Sequence, residues 1–347
     1  MNRFIAIFIF AFIIISSLST YAQDKNTRRK NAIKYTDKGI ESYAGDSLSK
    51  AIKMFDLAIR EDSTYDEAYY RRGNAYFDQK DYTKAGHDFL WLANRHSRIA
   101  DAYEKAGQID TSIRKYAEAL PFFSAAIALD SGQGSYYAAR GISFFYMENY
   151  EKAVLDFERA IEMNYTSADI YSKMGYALLR TDDPKGAVYN FTKAIELNPN
   201  NIEDYANRGD ALVALHQLDA AKSDLYIYIS HDKSDYSVWY NLARAQYGLN
   251  EYDSAILSYK IVLKLKPGYG DTYFRMGLTY ADKKDYKSAV DAFSSAIEQE
   301  PNGGYLYYNR AIAKAKLNDG SDYCGDLKKA SDMGFQQALI MLKQVCE

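Results

Sequence analysis

Cysteine, histidine and proline are scarce in this 347-residue chain, which has two, four and five of them respectively. Two cysteines and four histidines leave little material for a metal cluster, and no two of His87, His96, His216 and His231 stand three or four residues apart. A surplus of positive charge is also missing: 43 Lys and Arg face 46 Asp and Glu, which argues against binding to a nucleic-acid backbone. The chain carries no P-loop, no nucleophile elbow and no other Gly-rich strand-to-helix turn. Carboxylate pairs such as Asp182-Asp183 read as solvated turns. An intrinsic active site is therefore not expected, and no cofactor or metal is implied. With 48% hydrophobic and 26% charged residues, the composition is that of an ordered protein.

Long apolar runs are missing too, except one. Asn2-Arg3 precedes twelve apolar residues, Phe4 to Ile15, closed by the small and polar stretch Ser16 to Ala22. A membrane-spanning helix needs about 20 apolar residues, so this pattern reads as a secretory signal peptide over residues 1–22, cleaved after Ala22 with Thr20 at −3. An uncleaved amino-terminal anchor is the alternative. The expected location is outside the cytoplasm, periplasmic or secreted, with no membrane span once the signal is removed.

What the chain has in excess is tyrosine, 34 residues, beside 16 Phe and 2 Trp. They recur with a period of 34. Units starting at 32, 66, 100, 134, 168, 202, 236, 270 and 304 place an aromatic at position 4 every time, from Tyr35 and Tyr69 to Trp239 and Tyr307. Position 8 is Gly or Ala (Gly39, Gly73 through Gly277, Ala311), and position 20 is Ala in the first eight units. Position 24 is Phe55, Phe89, Phe123, Phe157, Phe191, Leu225, Tyr259, Phe293 and Leu327. Apolar positions 4, 8 and 11, then 17, 20, 24 and 27, follow the spacing of two amphipathic helices. Short polar turns such as Gln79-Lys80-Asp81 lie between them. The small residues at 8 and 20 are expected to face each other where the helices cross. A lone hairpin cannot bury its apolar face, whereas nine stacked in series can.

These columns resemble the tetratricopeptide repeat family. The resemblance spans residues 32–337, after an N-terminal segment 23–31, and implies an all-α, right-handed superhelical solenoid of about nine units, with a C-terminal capping helix at 335–347. Pro199, Pro267 and Pro301 stand at position 32, where family members end the second helix. Unit three departs from the pattern: Pro121 falls inside its second helix, which is expected to start late, near Leu120, or to kink. Unit nine has Gly320 and Tyr323 at 17 and 20, as a terminal repeat would.

The resemblance also implies a function. First helices line a concave groove through positions 2, 5, 6, 9, 12 and 13, where partner segments lie. Here those columns supply Tyr70, Arg71, Asn74 and Phe77 in unit two, and Asn207, Tyr240, Asn241, Arg244, Phe274, Arg275, Tyr308 and Asn309 in units six to nine. Asn207, Asn241 and Asn309 could each hold a backbone amide, and aromatic and Arg side chains dominate binding hot spots. Some of these tyrosines could equally serve as lining alone. Ten acids and seven bases share the six columns, a mixture that suits a protein or peptide segment. The clamp for acidic carboxyl-terminal peptides that some family members carry is not reproduced. The expected role is a non-catalytic interaction scaffold of the cell envelope; an accessory protein of a polysaccharide or secretion system is the neighbouring alternative.

Cys324 and Cys346 flank Gly334, which reads as the left-handed stop between two short helices. At 1.5 Å per residue in an antiparallel pair their sulfurs come nearly level, so a disulfide is expected in an oxidising compartment; two buried thiols are the alternative.

Overall fold

The computed structural model describes residues 2–45, 47–95, 99–317, 320 and 322–346, and their side chains from Gln23 onward. The side chains of the apolar run, the cleavage point at Ala22, and all of His96 lie outside this set. Among the described residues the fold is entirely helical, and no helix is long and apolar enough to cross a membrane.

The described chain divides into two compact units, Met1–Thr166 and Ser167–Glu347. The first contains α1 (Asn2–Ala44), α2 (Leu48–Glu61), α3 (Asp66–Asp78), α4 (Tyr82–Asn94), α5 (Ala100–Ser112), α6 (Tyr116–Leu129), α7 (Gly134–Tyr146) and α8 (Tyr150–Glu162). The second contains α9 (Ala168–Arg180), α10 (Pro184–Leu197), α11 (Ile202–Ala214), α12 (Leu218–His231), α13 (Tyr236–Gly248), α14 (Tyr252–Leu265), α15 (Gly270–Asp282), α16 (Tyr286–Gln299), α17 (Gly304–Leu317), α18 (Cys324–Asp332) and α19 (Gln336–Val345). Within each unit successive helices pack in pairs, repeat by repeat, as the 34-residue period requires. Segment 23–31 is the helical lead-in to repeat 1: Arg29 donates to Asp62 and to Thr64, and Asn31 to Glu61.

One turn recurs inside every repeat from the second to the eighth. Position 15 (Lys80, Arg114, Glu148, Asp182, His216, Asn250, Lys284) has a positive φ between 56° and 66°. The next N–H then reaches back five residues, as from Asp81 to Tyr76 and from Asp285 to Tyr280, both at 2.9 Å. This left-handed stop satisfies carbonyls at the end of the first helix. The residue after it caps the second: Asp81, Asn149, Asp183 and Asp285 accept from the backbone N–H three residues on, satisfying one of the N–H groups a helix start leaves unpaired.

The core is a column of position-24 side chains. Phe89, Phe123, Phe157 and Phe191 are fully buried, with Ala85, Ala119, Ala153 and Ala187 beside them. The small residue at position 8 serves this column more directly than the crossing with position 20. A Cβ on Gly107 or Gly277 would come within 2.7 or 2.6 Å of the ring of Phe123 or Phe293, so the glycine admits the aromatic ring.

Position 7 adds a polar device. Arg72, Arg140, Arg208 and Arg310 each fork onto the buried aspartate at position 23 of the same repeat, Asp88, Asp156, Asp224 and Asp326, with N–H to oxygen distances of 2.7 to 2.9 Å. A further N–H reaches position 25 of the preceding repeat, at Asp56, Ser124, Thr192 and Ser294. Each guanidinium also lies 5.5 to 5.8 Å from the ring centre of the tyrosine at position 4. A single side chain thus ties three helices together.

Two irregularities differ in outcome. The second helix of repeat 3 does not start late: α6 begins at Tyr116 and runs through Pro121. Pro121 lies beyond the first turn, so its ring forgoes a helical hydrogen bond, and burial of Ala119, Phe123 and Ala126 holds the segment helical. In repeat 9, α18 is only nine residues long and starts at Cys324. Gly334 has φ 82° and turns the chain into α19, where Cys346 is bonded to Cys324 with Cα atoms 5.9 Å apart.

Candidate partner-binding groove

Side chains at the groove positions meet within each unit. In the first, the Tyr70 hydroxyl donates to Asp101 at 3.1 Å, and Arg71 pairs with Glu67 at 2.7 Å while lying 5.6 Å from the Tyr70 ring centre. Arg71 and Asn74 join Ile40, Tyr43 and Phe55 around a cleft of about 70 Å³. Tyr43 donates to Asp78, and burial together with that carboxylate pushes its phenol up to about 12. Phe77 lies under the Lys105 ammonium, 4.8 Å from its ring centre, and edge-on to Tyr82. Tyr70, Arg71, Asn74 and Phe77 are thus gathered on one patch.

In the second unit the densest cluster spans α11, α13 and α15. Asn241 accepts from Arg244 at 3.1 Å and hydrogen-bonds to Asp210. Burial raises the Asp210 carboxyl above its ordinary value against the pull of Arg244. The Tyr240 hydroxyl donates to Asp271; burial, then this bond, pushes it up to about 12. Its ring packs 6.0 Å from Tyr259 and 5.7 Å from Tyr269. The buried Arg275 Nε faces Asp271 at 3.7 Å, an ion-pair contact beyond hydrogen-bonding distance, and the Arg275 side chain also hydrogen-bonds Tyr240. Tyr247 donates to Asp282 at 2.5 Å and is likewise pushed up to about 12, by burial first.

Other groove residues serve packing. Phe274 meets Tyr305 edge-on at 4.9 Å, and Tyr308 lies 5.0 Å from Phe335 at the start of the capping segment. Asn309 donates to the carbonyl of Tyr305 on its own helix at 2.7 Å, so part of its amide is already engaged. Asn207 is half-buried on α11. The three asparagines therefore do not form one equivalent row, and Asn241 alone sits within the Arg and Asp cluster.

The acids that order these tyrosines, Asp78, Asp101, Asp271 and Asp282, are among the ten in the groove columns, but the columns do not foretell which tyrosine each one meets, although a spacing signal exists. Tyr70 to Asp101 and Tyr240 to Asp271 are 31 residues apart, while Tyr43 to Asp78 and Tyr247 to Asp282 are 35 apart, each close to one repeat. The Arg and Asp pairs of the core are likewise always 16 apart.

Models of the tetratricopeptide repeat match residues 37–94, 70–134, 138–202 and 207–270, 190–223 and 270–302. Among solved structures, the C-terminal part of a TPR repeat-containing protein from Cytophaga hutchinsonii is 20% identical with a TM-score of 0.53, over 65% of this chain and 93% of that one. MamA from Desulfovibrio magneticus is 21% identical with a TM-score of 0.45, over 48% and 95%. YrrB, described as a TPR protein with an unusual peptide-binding site, is 23% identical with a TM-score of 0.36, over 65% and 97%. No curated protein matches the chain. Repeat models thus cover more than half of the sequence, and the chain belongs to the tetratricopeptide repeat family.

Proposed function

We propose that the protein is an exported, non-catalytic scaffold of the cell envelope that holds an extended segment of a partner protein along α13 and α15. The observation that carries this reading is the juxtaposition of Asp210, Asn241 and Arg244 with Tyr240, Asp271 and Arg275. Half-buried rings beside donors and acceptors of both signs suit a peptide backbone with mixed side chains. The apolar run Phe4 to Ile15 supports export.

A display library of extended peptides, selected on the mature protein, tests the groove. Asn241→Ala and Arg244→Ala are expected to weaken selected peptides by about 1 to 3 kcal/mol each, with thermal stability changed by no more than about 1 kcal/mol. Tyr240→Phe, which keeps the ring against Tyr259, separates the hydroxyl from the packing. Peptides that bind all three variants as well as the parent would place recognition elsewhere. An amino terminus at Gln23 in protein recovered from outside the cytoplasm would support export; retention in the cytoplasm with residues 1–22 intact would contradict it.

A further inference from the structure

A cleft of about 230 Å³ opens in repeat 8, between α15 and α16, lined by Tyr273, Met276, Tyr280, Ser288 and Asp291 among others. On α15 its residues are three and four apart and turn away from Asp271 and Arg275, so it lies on a different face from the proposed groove. Its location in the repeat shows what it is. In repeats 2, 4, 6 and 9 the same space holds the guanidinium of position 7, above the position-4 tyrosine and forked onto the position-23 aspartate. Repeat 8 keeps the tyrosine, as Tyr273, but has Met276 in place of the arginine and Ala292 in place of the aspartate.

Among the other repeats without the arginine, repeat 5 also has a methionine, Met174, but keeps a polar Asn190 at position 23, while repeats 3 and 7 fill or bridge the space. Repeat 3 has the large Phe122 at position 23. Repeat 7 runs a neutral relay, in which Ser258 donates to Gln246 and Gln246 to Tyr226. In repeat 8 both short replacements leave the socket open, while an acid, Asp291, moves to its exposed rim one residue before the lost aspartate. What remains is an aromatic wall and a carboxylate without their cation.

We propose that this cleft is a docking socket for an arginine side chain of a partner protein, which would sit against Tyr273 and Tyr280 and pair with Asp291. The chain's own four clamps are the template for the ligand chemistry: a planar cation over a tyrosine face with a carboxylate at the fork. Lys260, at the position where Ser124, Thr192 and Ser294 accept a third N–H in sister repeats, is exposed and opposes the incoming charge.

The test titrates the mature protein, carrying ¹³C-methyl methionine, with acetyl-Gly-Arg-Gly-amide and with the neutral citrulline analogue. The Met276 methyl, identified by its loss in Met276→Leu, is expected to shift saturably with the arginine peptide and not with citrulline. Asp291→Asn is expected to weaken binding about ten-fold, as loss of a charge-assisted bond does, and Lys260→Ser to tighten it. The double variant Met276→Arg/Ala292→Asp rebuilds the internal clamp and is expected to abolish peptide binding read from the peptide's own resonances. The two rim variants read the same point should the rebuilt clamp fail to fold. A Met276 methyl unmoved at roughly 10 mM peptide, well above the millimolar affinity of a single side-chain site, overturns the proposal. An equal shift with citrulline, or undiminished binding to Asp291→Asn, overturns it as well. None of these outcomes depends on Asn241 or Arg244, so the socket and the groove fail separately.

Discussion

Arg208→Met asks how much the recurring clamp contributes. In the parent, Arg208 forks onto Asp224 and also reaches Thr192, with side chains 20% and 7% exposed. Removing the guanidinium leaves the Asp224 carboxylate enclosed without a counter-ion. Breaking such a pair costs about 3 to 5 kcal/mol when both groups are buried; water reaches this arginine, so about 3 kcal/mol is expected here. Arg208→Met/Asp224→Ala copies the combination that repeat 8 carries as Met276 and Ala292. It removes the charge together with its partner and is expected to lie within about 1 kcal/mol of the parent. The single and double variants are then expected to differ by about 2 to 3 kcal/mol. Because a repeat array need not unfold in one step, the assay is hydrogen exchange of peptides from α11 and α12, supported by urea unfolding followed by circular dichroism. A 3 kcal/mol loss corresponds to exchange roughly a hundred-fold faster. If the single and double variants exchange alike, the aspartate does not depend on its arginine and the clamp is only decoration.

Gly277→Ala places a methyl 2.6 Å from the Phe293 ring; it is expected to cost about 1 to 3 kcal/mol, and Phe293→Leu in the same chain, which recreates the Ala311 and Leu327 pairing of repeat 9, should recover most of the loss in thermal unfolding. Residues 108–121, up to the proline that removes a hydrogen bond inside α6, are expected to exchange fastest among the repeats, and Pro121→Ala to slow them; uniform protection would contradict this. Burial pushes the Asp326 carboxyl up, but Arg310 and Lys314 pull it further down, leaving it below the ordinary value of 3.8. Its folded value lies under its unfolded one, so its contribution is whole above that ordinary value and is lost as pH falls through the folded value; Asp326→Asn should flatten the acid limb of a urea-stability series, and an unchanged limb would refute the assignment. Reduction of the bond between Cys324 and Cys346 is expected to cost about 3 kcal/mol in the chain-entropy model, read as faster exchange in α19, while thiols that alkylate freely without a reductant would show that exported protein lacks the bond.

The sequence by itself determined the fold, because an aromatic at position 4, a small residue at 8 and a large apolar residue at 24 recur in every unit, with Ala at 20 in all but the last, and local helical periodicity with nearest-neighbour packing is all a solenoid needs. The left-handed stop at Gly334 and the level placement of Cys324 and Cys346 were legible for the same reason: they depend on helix rise and one turn. Tertiary structure decided whatever required knowing which atoms meet. Pro121 stays inside a helix because Phe123 and its neighbours are buried on that side. Gly277 faces a ring, a contact set by how two helices cross. Asn241 joins Asp210 and Arg244 whereas Asn309, in the same column, bonds to its own backbone, since one column position acquires different neighbours in each repeat. The Arg and Asp clamps, and the socket left where one is missing, escaped the repeat columns because a consensus reads the apolar positions all units share, while polar partners vary from unit to unit and are recognised only when their atoms are seen within hydrogen-bonding distance.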